Sequence, residues 1–323
     1  VQVQSYNKWD CVVVDDGSVD STRSIIDSYG SKVKTVLKDK NEGLSAARNS
    51  ALKIAEGKYI TYVDADDYIE PDFYERVYSL SNDADVVVSG SFHDSLDDNG
   101  NVVVSTINQI DNNVTLLSKK EIAKMASELD SKRLFAFTWN KFYKREFLEQ
   151  ENVKFQNRVL IEDFAYNCEI WPLIDLLVVT NVVGYHYVKF SSESLSLKYL
   201  PTFLDIMNDR YNLMKDMLVS QGAFDELTKT RTSNMHIKHM IAGFVRLFSP
   251  KSNLSFLGKC NVIRKSLMNG SSLEVMKYSK GERTQEIVSN AIFKSRSVLL
   301  NYLFASAIYK MQASKLKLFD RMK

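Results

Sequence analysis

Three carboxylates crowd the segment Asp64–Ala65–Asp66–Asp67, which directly follows the apolar run Tyr59–Val63. Their mutual repulsion costs stability unless a cation offsets it, and oxygen ligands of this kind suit Mg²⁺ or Mn²⁺. Because Asp64 and Asp66 are two residues apart, an extended backbone directs both side chains to the same side. The segment therefore predicts a metal site that can hold a diphosphate. A solvated acidic turn before a helix is the alternative interpretation of such a cluster taken alone.

A second acidic pair, Asp15 and Asp16, follows the apolar run Cys11–Val14. A carboxylate at the end of a strand can accept a hydrogen bond from a base or a ribose. The other interpretation is a turn closed by an aspartate cap. Arg48 lies in the small-residue segment Asn41–Asn49, where its planar guanidinium could pair with a phosphate. For a lone arginine, a surface position on an amphipathic helix is the simpler interpretation.

Short apolar runs alternate with helical spacings over residues 11–89. This alternation predicts an α/β fold with a mostly parallel sheet, in which ligands bind at the carboxyl ends of the strands. Both acidic segments lie at predicted strand ends. The predicted strands are Cys11–Val14, Lys34–Leu37, Tyr59–Val63, Asp85–Ser89 and Leu176–Val183. After Pro201 the pattern predicts helices over Phe203–Leu218, Asp225–Phe248, Leu257–Met268 and Glu286–Lys317.

The composition narrows the class of protein. The 323 residues are 45% apolar and 25% charged, as in an ordinary globular protein. No apolar run reaches the ~18 residues that a membrane span needs. The three cysteines lie far apart, which argues against a zinc site or a disulfide framework and fits a reducing cytoplasmic compartment.

Charge is distributed unevenly along the chain. Residues 228–323 contain 18 Lys and Arg against four Asp and Glu, whereas the net charge of the whole chain is +2. Within this basic region, Ile292–Lys317 reads as a helix with an apolar face, and such a helix can lie on an anionic membrane. Packing against the rest of the protein, with a solvated basic face, is the other hypothesis. No recognised motif supports binding to nucleic acid.

Three sequence blocks occur in an order and at a spacing that resemble one enzyme family. They are DDGSVDST at residues 15–22, NEGLSAARNSAL at 41–52 and GKYITYVDADDYIEPD at 57–72. Further along, AFTWNKFYKRE at 136–146, LIEDF at 160–164 with its ED pair, and YHY at 185–187 extend the pattern. Together they resemble the family 2 glycosyltransferases with a GT-A fold, of the bacterial capsule or exopolysaccharide type, over roughly residues 1–200.

The resemblance implies a role for each matching residue on the donor side. Asp15 and Asp16 would contact the nucleotide base, Arg48 would lie near the base or the diphosphate, and Asp64 would contact the ribose. The cofactor, Mn²⁺ or Mg²⁺, would bind at Asp66 with Asp64 and Asp67 in support.

On the acceptor side, the resemblance implies that Trp139 and Asn140 line the sugar and acceptor site. It also implies that Asp163, with Glu162 beside it, is the general base. Taken without the other motifs, Glu162 and Asp163 are an acidic pair at a helix N-terminus, which the helix dipole favours.

The implied activity is an inverting glycosyltransferase (EC 2.4, hexosyltransferase type) in polysaccharide biosynthesis. It would move a sugar from a nucleotide-sugar, a UDP-sugar first of all, to a saccharide or lipid-linked acceptor. This implies a cytoplasmic location, with peripheral contact at the inner face of the cell membrane through the basic C-terminal helices as an open question.

The domain organisation follows from the same resemblance. Only Val1–Trp9 precede the strand that carries DDGS, so we expect the family's first strand to be missing. Residues 1–200 would then be a truncated GT-A domain and residues 201–323 a helical, basic region. The alternative to an enzyme is a catalytically impaired fragment that serves as a membrane-associated assembly or binding module.

Overall fold

The apolar run that ends at Asp15 forms one strand of a two-stranded parallel sheet. The computed structural model describes residues 1–97, 99–190, 199–281 and 283–321. Strand β1 (Val12–Asp15) pairs with β2 (Lys34–Leu37), and the helices beside them are α1 (Thr22–Ser28) and α2 (Leu44–Leu52). Gly17 has a φ of +83°, and a Cβ there would lie 2.5 Å from the Lys40 backbone. The turn after β1 therefore requires glycine.

A second sheet of seven strands lies in the same part of the chain. Its strands are β3 (Tyr59–Ile60), β4 (Tyr68–Ile69), β5 (Val86–Leu96), β6 (Val102–Asn108), β7 (Val114–Leu116), β8 (Lys141–Lys144) and β9 (Leu177–Phe190). The order is β3-β8-β5-β9-β4, with β6 paired to β5 and β7 to β9. The helices of this region are α3 (Phe73–Ser79), α4 (Lys119–Ser131), α5 (Arg145–Glu151) and α6 (Glu162–Ile170).

Strand direction differs from the expectation of a mostly parallel sheet. The pair β1–β2 is parallel, but β8 runs antiparallel to both β3 and β5, and β9 runs antiparallel to both β4 and β7. A buried apolar run predicts a strand without revealing its direction, because direction depends on which distant strand becomes its neighbour. The α/β fold class with a helical C-terminal region is confirmed.

The core beneath the sheet is built around α3 and β9. Phe73 and Val77 of α3 are fully buried against Trp139 and Tyr185. At Gly184 in β9, a Cβ would lie 2.4 Å from the Phe73 ring, so glycine is needed there for α3 to approach the sheet. This close packing fixes the segment of β9 that carries Tyr185.

The chain divides into two compact units. The first comprises Val1–His93 and Ser105–Val188, and the second comprises Asp94–Val104 and Lys189–Lys323. The sequence predicts the boundary between the two regions at residue 200, and the first compact unit ends at Val188. The helices of the second unit are α7 (Phe203–Ser220), α8 (Glu226–Arg246), α9 (Phe256–Leu267), α10 (Gly270–Tyr278), α11 (Thr284–Lys294) and α12 (Val298–Arg321).

Side-chain caps start three of these helices. The side chains of Asp225, Ser255 and Asn269 accept hydrogen bonds from backbone N–H groups in the first turns of α8, α9 and α10, at 3.1, 3.1 and 2.9 Å. Such caps satisfy donors that a helix otherwise leaves unpaired. Within the residues that the structure describes, no helix is both long and apolar enough to cross a bilayer.

The prediction of one helix over Glu286–Lys317 is wrong. Helix α11 ends at Lys294 and α12 begins at Val298, because Arg296 between them has a φ of +55°. That conformation lies outside the right-handed helical region. The apolar spacing continues through the break, which is why periodicity alone did not reveal it.

Candidate active site

The first acidic pair is held within the turn after β1. Asp15 is buried, and its carboxylate accepts hydrogen bonds from Ser18 N at 3.2 Å and from Arg23 Nε at 2.7 Å. The bonds from Ser18, and then those from Arg23, lower the pKa of Asp15. Its carboxylate is therefore used to close the turn.

Asp16 connects this turn to the start of α2. Its carboxylate accepts from Glu42 N at 3.1 Å and from Gly43 N at 2.7 Å, and it lies 3.2 Å from Lys38 Nζ. Burial raises the pKa of Asp16, but these three groups together outweigh burial and lower it. The contact of Asp16 with a nucleotide base stays a prediction.

Arg48 joins two carboxylates that are far apart in the sequence. Its guanidinium is buried, donates through Nη1 to Asp163 Oδ1 and lies 3.2 Å through Nη2 from Asp64 Oδ1. The rings of Tyr62 and Phe155 lie 5.6 and 5.4 Å from the guanidinium carbon, at cation–π distance. Burial disfavours the charge of Arg48, but the two carboxylates outweigh it and raise its pKa. The interpretation as a surface arginine is therefore wrong.

Asp163 lies in the first turn of α6, as the helix-terminus interpretation expected. Its Oδ2 accepts from Thr138 N at 3.1 Å and from Thr138 Oγ1 at 2.9 Å. With Arg48 on Oδ1, both oxygens of Asp163 are oriented by the protein. Glu162 is half-buried, and burial raises its pKa.

The acidic turn after β3, residues Asp64–Asp67, has part of its negative charge offset by hydrogen-bond donors of β9. Asp67 Oδ2 accepts from Tyr185 Oη at 2.6 Å, and Asp67 Oδ1 accepts from Val188 N at 2.8 Å. The Tyr185 hydroxyl also accepts from Asp64 N at 3.1 Å. Burial raises the pKa of Asp67 to about 6 and raises that of Asp64 as well. Asp66, between them, is exposed.

This donor set fits a metal that shares its ligands with a phosphate. Among the described residues, no group of three or more His, Cys, Asp or Glu side chains is arranged to hold a metal ion by itself. Mg²⁺ commonly binds to one or two carboxylates and completes its shell with water and substrate phosphates. The exposed Asp66, next to Asp64, offers carboxylate oxygens of this kind.

Trp139 and Asn140 do not lie at a surface, contrary to their predicted place on the sugar and acceptor side. Trp139 is 1% and Asn140 0% exposed. The Asn140 amide donates to the carbonyls of Ser89 and Leu134 at 3.1 and 3.0 Å. Both residues immediately precede β8, a central strand, and this position draws their side chains into the core.

Sequence reasoning missed three residues near Asp163 and the acidic turn. Phe137 and Tyr187 are half-buried and pack against the core, and Thr138 binds Asp163. Burial, and then the negative charges of the acidic turn, raise the pKa of Tyr187 to about 12. All three residues fall within the stretches that carry the family resemblance, but the resemblance assigned none of them a role.

A cavity of about 830 Å³ opens between β1 and β3. Its wall is mostly apolar and includes residues 12–14 of β1 and residues 59–62 around β3. Arg48, Asp64 and Asp67 belong to the same wall. These three predicted donor-side residues therefore line a space large enough for a small organic ligand, whereas Asp15, Asp16 and Asp66 lie outside its lining.

Comparisons with known proteins agree on one family. Residues 1–151 match the model of the glycosyl transferase family 2. The glycosyltransferase GlyA of Streptococcus pneumoniae is 30% identical over 66% of this chain and 32% of its own length. The poly(ribitol-phosphate) beta-glucosyltransferase of Bacillus spizizenii is 27% identical over 69% of this chain and 33% of its own length. The chain thus spans about a third of each of these relatives.

Solved structures support the fold. Residues 1–349 of Staphylococcus aureus TarS superpose with a TM-score of 0.59 at 17% identity, covering 96% of this chain and 85% of that one. The same TarS fragment in complex with UDP-GlcNAc gives a TM-score of 0.56 at 19% identity. At this level of identity the likeness concerns the fold.

Proposed function

Because residues 1–151 of the chain belong to the glycosyl transferase family 2, we propose that the protein transfers a sugar from a nucleotide-sugar to a saccharide acceptor in polysaccharide biosynthesis. The observation that carries the proposal is the junction at Arg48. This residue brings Asp64, from the acidic turn, to the same guanidinium as Asp163, which lies 115 residues from Arg48 in the sequence. The predicted donor-side and base residues therefore meet in one place.

The donor side is formed by the acidic turn and the turn after β1. A UDP-sugar is the first candidate, since the related fold of TarS has been solved with UDP-GlcNAc. Asp64 would contact the ribose, and Asp66 would hold Mn²⁺ or Mg²⁺ together with the donor's phosphates. A bound divalent ion supplies a Lewis acid that neutralises the leaving diphosphate. Asp67 supports the turn through Tyr185.

Asp163 is the proposed general base. It would accept the proton of the acceptor hydroxyl while that oxygen attacks the anomeric carbon of the donor, and the nucleoside diphosphate leaves from the opposite face. This single displacement inverts the anomeric configuration and needs no covalent intermediate on the enzyme. Arg48 and Thr138 fix the orientation of the Asp163 carboxylate, and such positioning is a large part of general-base efficiency.

The experiment is a UDP-release assay with UDP-GlcNAc and other UDP-sugars, with Mn²⁺ and with chelator. Asp163→Asn should lower turnover at least 100-fold, the size expected for loss of a general base. Asp66→Asn should lower it by a similar factor, because the ion that neutralises the leaving diphosphate loses a carboxylate ligand. Glu149→Gln, which changes an exposed carboxylate paired with Arg145, is the matched control and should keep full activity. Normal turnover in either Asn variant would overturn the role assigned to that residue. UDP binding without turnover in the unmodified chain would favour the binding-module hypothesis instead.

The second unit adds a proposed membrane contact. Leu299, Leu300, Leu303 and Met311 of α12 are exposed, within a region rich in Lys and Arg. Such a helix binds an anionic membrane in two ways: its apolar face is buried in the lipid, and its basic residues attract the negatively charged headgroups. A lipid-linked acceptor would be reached at that surface, on the inner face of the cell membrane.

Flotation with vesicles of anionic and of neutral lipid tests this contact. Leu299→Asp/Leu303→Asp should reduce binding to anionic vesicles at least tenfold, because two charges then oppose insertion of the exposed face. Ile107→Asp, at an exposed apolar position on β6, is the matched control. Equal flotation of all three proteins would refute a membrane role for α12.

A further inference from the structure

An aromatic stack lies beside the acidic turn. The Trp139 ring is parallel to the Tyr185 ring at 4.3 Å, and the Phe137 ring lies on Trp139 at 4.6 Å with a tilt of 22°. The Tyr187 ring is within 16° of parallel to Trp139 at 5.6 Å. Trp139 and Tyr185 are buried, whereas Phe137 and Tyr187 are half-buried. The stack therefore has an inner pair of rings and an outer pair that solvent reaches.

Phe137 directly precedes Thr138, the residue that binds the proposed base. Its neighbour Thr138 binds Asp163 through both its backbone N–H and its hydroxyl, at 3.1 and 2.9 Å. Any displacement of the Phe137 backbone would thus be passed to the Asp163 carboxylate. This short link places one end of the outer pair at the acceptor side of the proposed reaction.

The outer ring of Tyr187 is tied to the acidic turn from both sides. Tyr185, two residues before it, donates to Asp67 Oδ2 at 2.6 Å, and Val188, directly after it, donates to Asp67 Oδ1 at 2.8 Å. Tyr187 and Phe137 are themselves in contact, with ring centroids 5.7 Å apart. The outer pair therefore bridges from the proposed base to the acidic turn.

Aromatic faces bordered by carboxylates have the mixed chemistry of a carbohydrate site. A pyranose ring exposes C–H groups on its faces and hydroxyls around its edge, so it needs a flat apolar surface with hydrogen-bond acceptors beside it. Rigid aromatic rings provide such a surface at low entropic cost. The inner pair holds the outer rings in place, since Trp139 stacks with both Phe137 and Tyr185.

We propose that Phe137 and Tyr187 form a stacking platform for a pyranose ring at this site. The proposal rests on the proposed glycosyltransferase function, because the ring would be either the sugar of the donor or the sugar of the acceptor. The platform acts on saccharide binding and has no role in binding the nucleotide. The resemblance implies a sugar-lining role for Trp139, which is buried, and the platform assigns that role to Phe137 and Tyr187 instead.

Binding measured separately for each part of the ligands tests the platform. Tyr187→Leu and Phe137→Leu keep apolar bulk but remove the ring, while Tyr187→Phe keeps the ring. The Kd of UDP, of UDP-GlcNAc and of a panel of methyl pyranosides is measured by calorimetry and saturation-transfer NMR. Phe256→Leu, at an exposed phenylalanine that begins α9, is the matched control.

The Leu variants should bind the saccharide-bearing ligand roughly 3- to 10-fold more weakly, the usual size of one aromatic contact. Their affinity for UDP should not change. Tyr187→Phe should bind saccharide and UDP as tightly as the wild type. A loss confined to UDP-GlcNAc assigns the platform to the donor sugar, and a loss confined to the methyl pyranosides assigns it to the acceptor. Unchanged saccharide affinity, or an equal loss for UDP, would overturn the proposal. Methyl pyranosides need no turnover, so failure of the glycosyltransferase proposal would show separately, as no UDP release by the wild-type chain.

Discussion

Replacing Arg48 by Met tests how the site is held together. The substitution keeps an apolar stem of similar reach between the rings of Tyr62 and Phe155 but removes the charge shared by Asp64 and Asp163. Breaking a buried ion pair by removing one partner costs about 3–5 kcal/mol. For a unit of the size of the first one, a loss of 1 kcal/mol lowers the midpoint of thermal unfolding by about 2–4 °C, so the midpoint should fall by roughly 6–20 °C.

The loss should depend on pH in a defined direction. Burial already raises the pKa of Asp64, and Arg48 is the strongest influence that lowers it. Without Arg48 the pKa of Asp64 in the folded state rises further above its unfolded value of about 3.9. The folded variant then binds a proton that the unfolded chain has released, so its stability increases as pH falls through that folded pKa. The difference from wild type should therefore shrink between pH 8 and pH 5.

Urea denaturation at pH 8, 6.5 and 5 measures both effects. Arg145→Met removes a surface arginine paired with exposed Glu149 and should cost no more than about 1 kcal/mol at any of these pH values. Arg48→Met combined with Asp64→Asn should recover part of the loss, because one uncompensated charge is gone. A loss below about 1 kcal/mol at pH 8, or one that stays constant with pH, would refute the account of Arg48 as the counter-charge of these carboxylates.

Two further predictions concern packing around the site. Lys141 is fully buried, and its Nζ donates to four oxygens, three of them the carbonyls of residues 134, 135 and 137. Lys141→Met removes these four bonds, but the three carbonyls keep hydrogen bonds from the amides of Asn140 and Asn167. The substitution should therefore destabilise the protein by about 1–3 kcal/mol. Lys132→Met, at a weak surface pair 3.8 Å long, should stay within about 0.5 kcal/mol of wild type, and similar losses for both would contradict the structural role of Lys141. Gly184→Ala sets a Cβ 2.4 Å from buried Phe73 and should cost about 1–3 kcal/mol by overpacking, whereas Gly270→Ala meets nothing within 4 Å. Equal thermal stability of the two alanine variants would show that α3 can move away from β9.

The strand ends that carry acidic residues could be predicted because the signals are local. An apolar run closed by carboxylates marks both Asp15 and Asp64. The structure places Asp15 at the end of β1 and Asp64 four residues after the end of β3. The antiparallel course of β8 and β9 could not be predicted in this way. Their neighbours lie far away in the sequence, and a short apolar run is compatible with either direction.

The pairing of Arg48 with Asp163 shows the same limit within the site. The resemblance placed both residues in the active site, but no spacing rule relates positions 115 residues apart. Trp139 shows the opposite error. The resemblance implies a place for Trp139 at the ligand, whereas its position directly before β8 buries it in the core and leaves Phe137 and Tyr187 half-buried.

The crowding of carboxylates after β3 was the first reason to expect a cation, and the structure changes that reason. Two of the three charges are already offset within the protein: Asp64 by Arg48, and Asp67 by hydrogen bonds from Tyr185 and Val188. Repulsion among the three therefore does not by itself require an ion. What remains is Asp66, exposed and next to a carboxylate whose counter-charge is shared with Asp163. A cation at this turn is therefore expected together with a diphosphate, which supplies the oxygen ligands that the turn lacks.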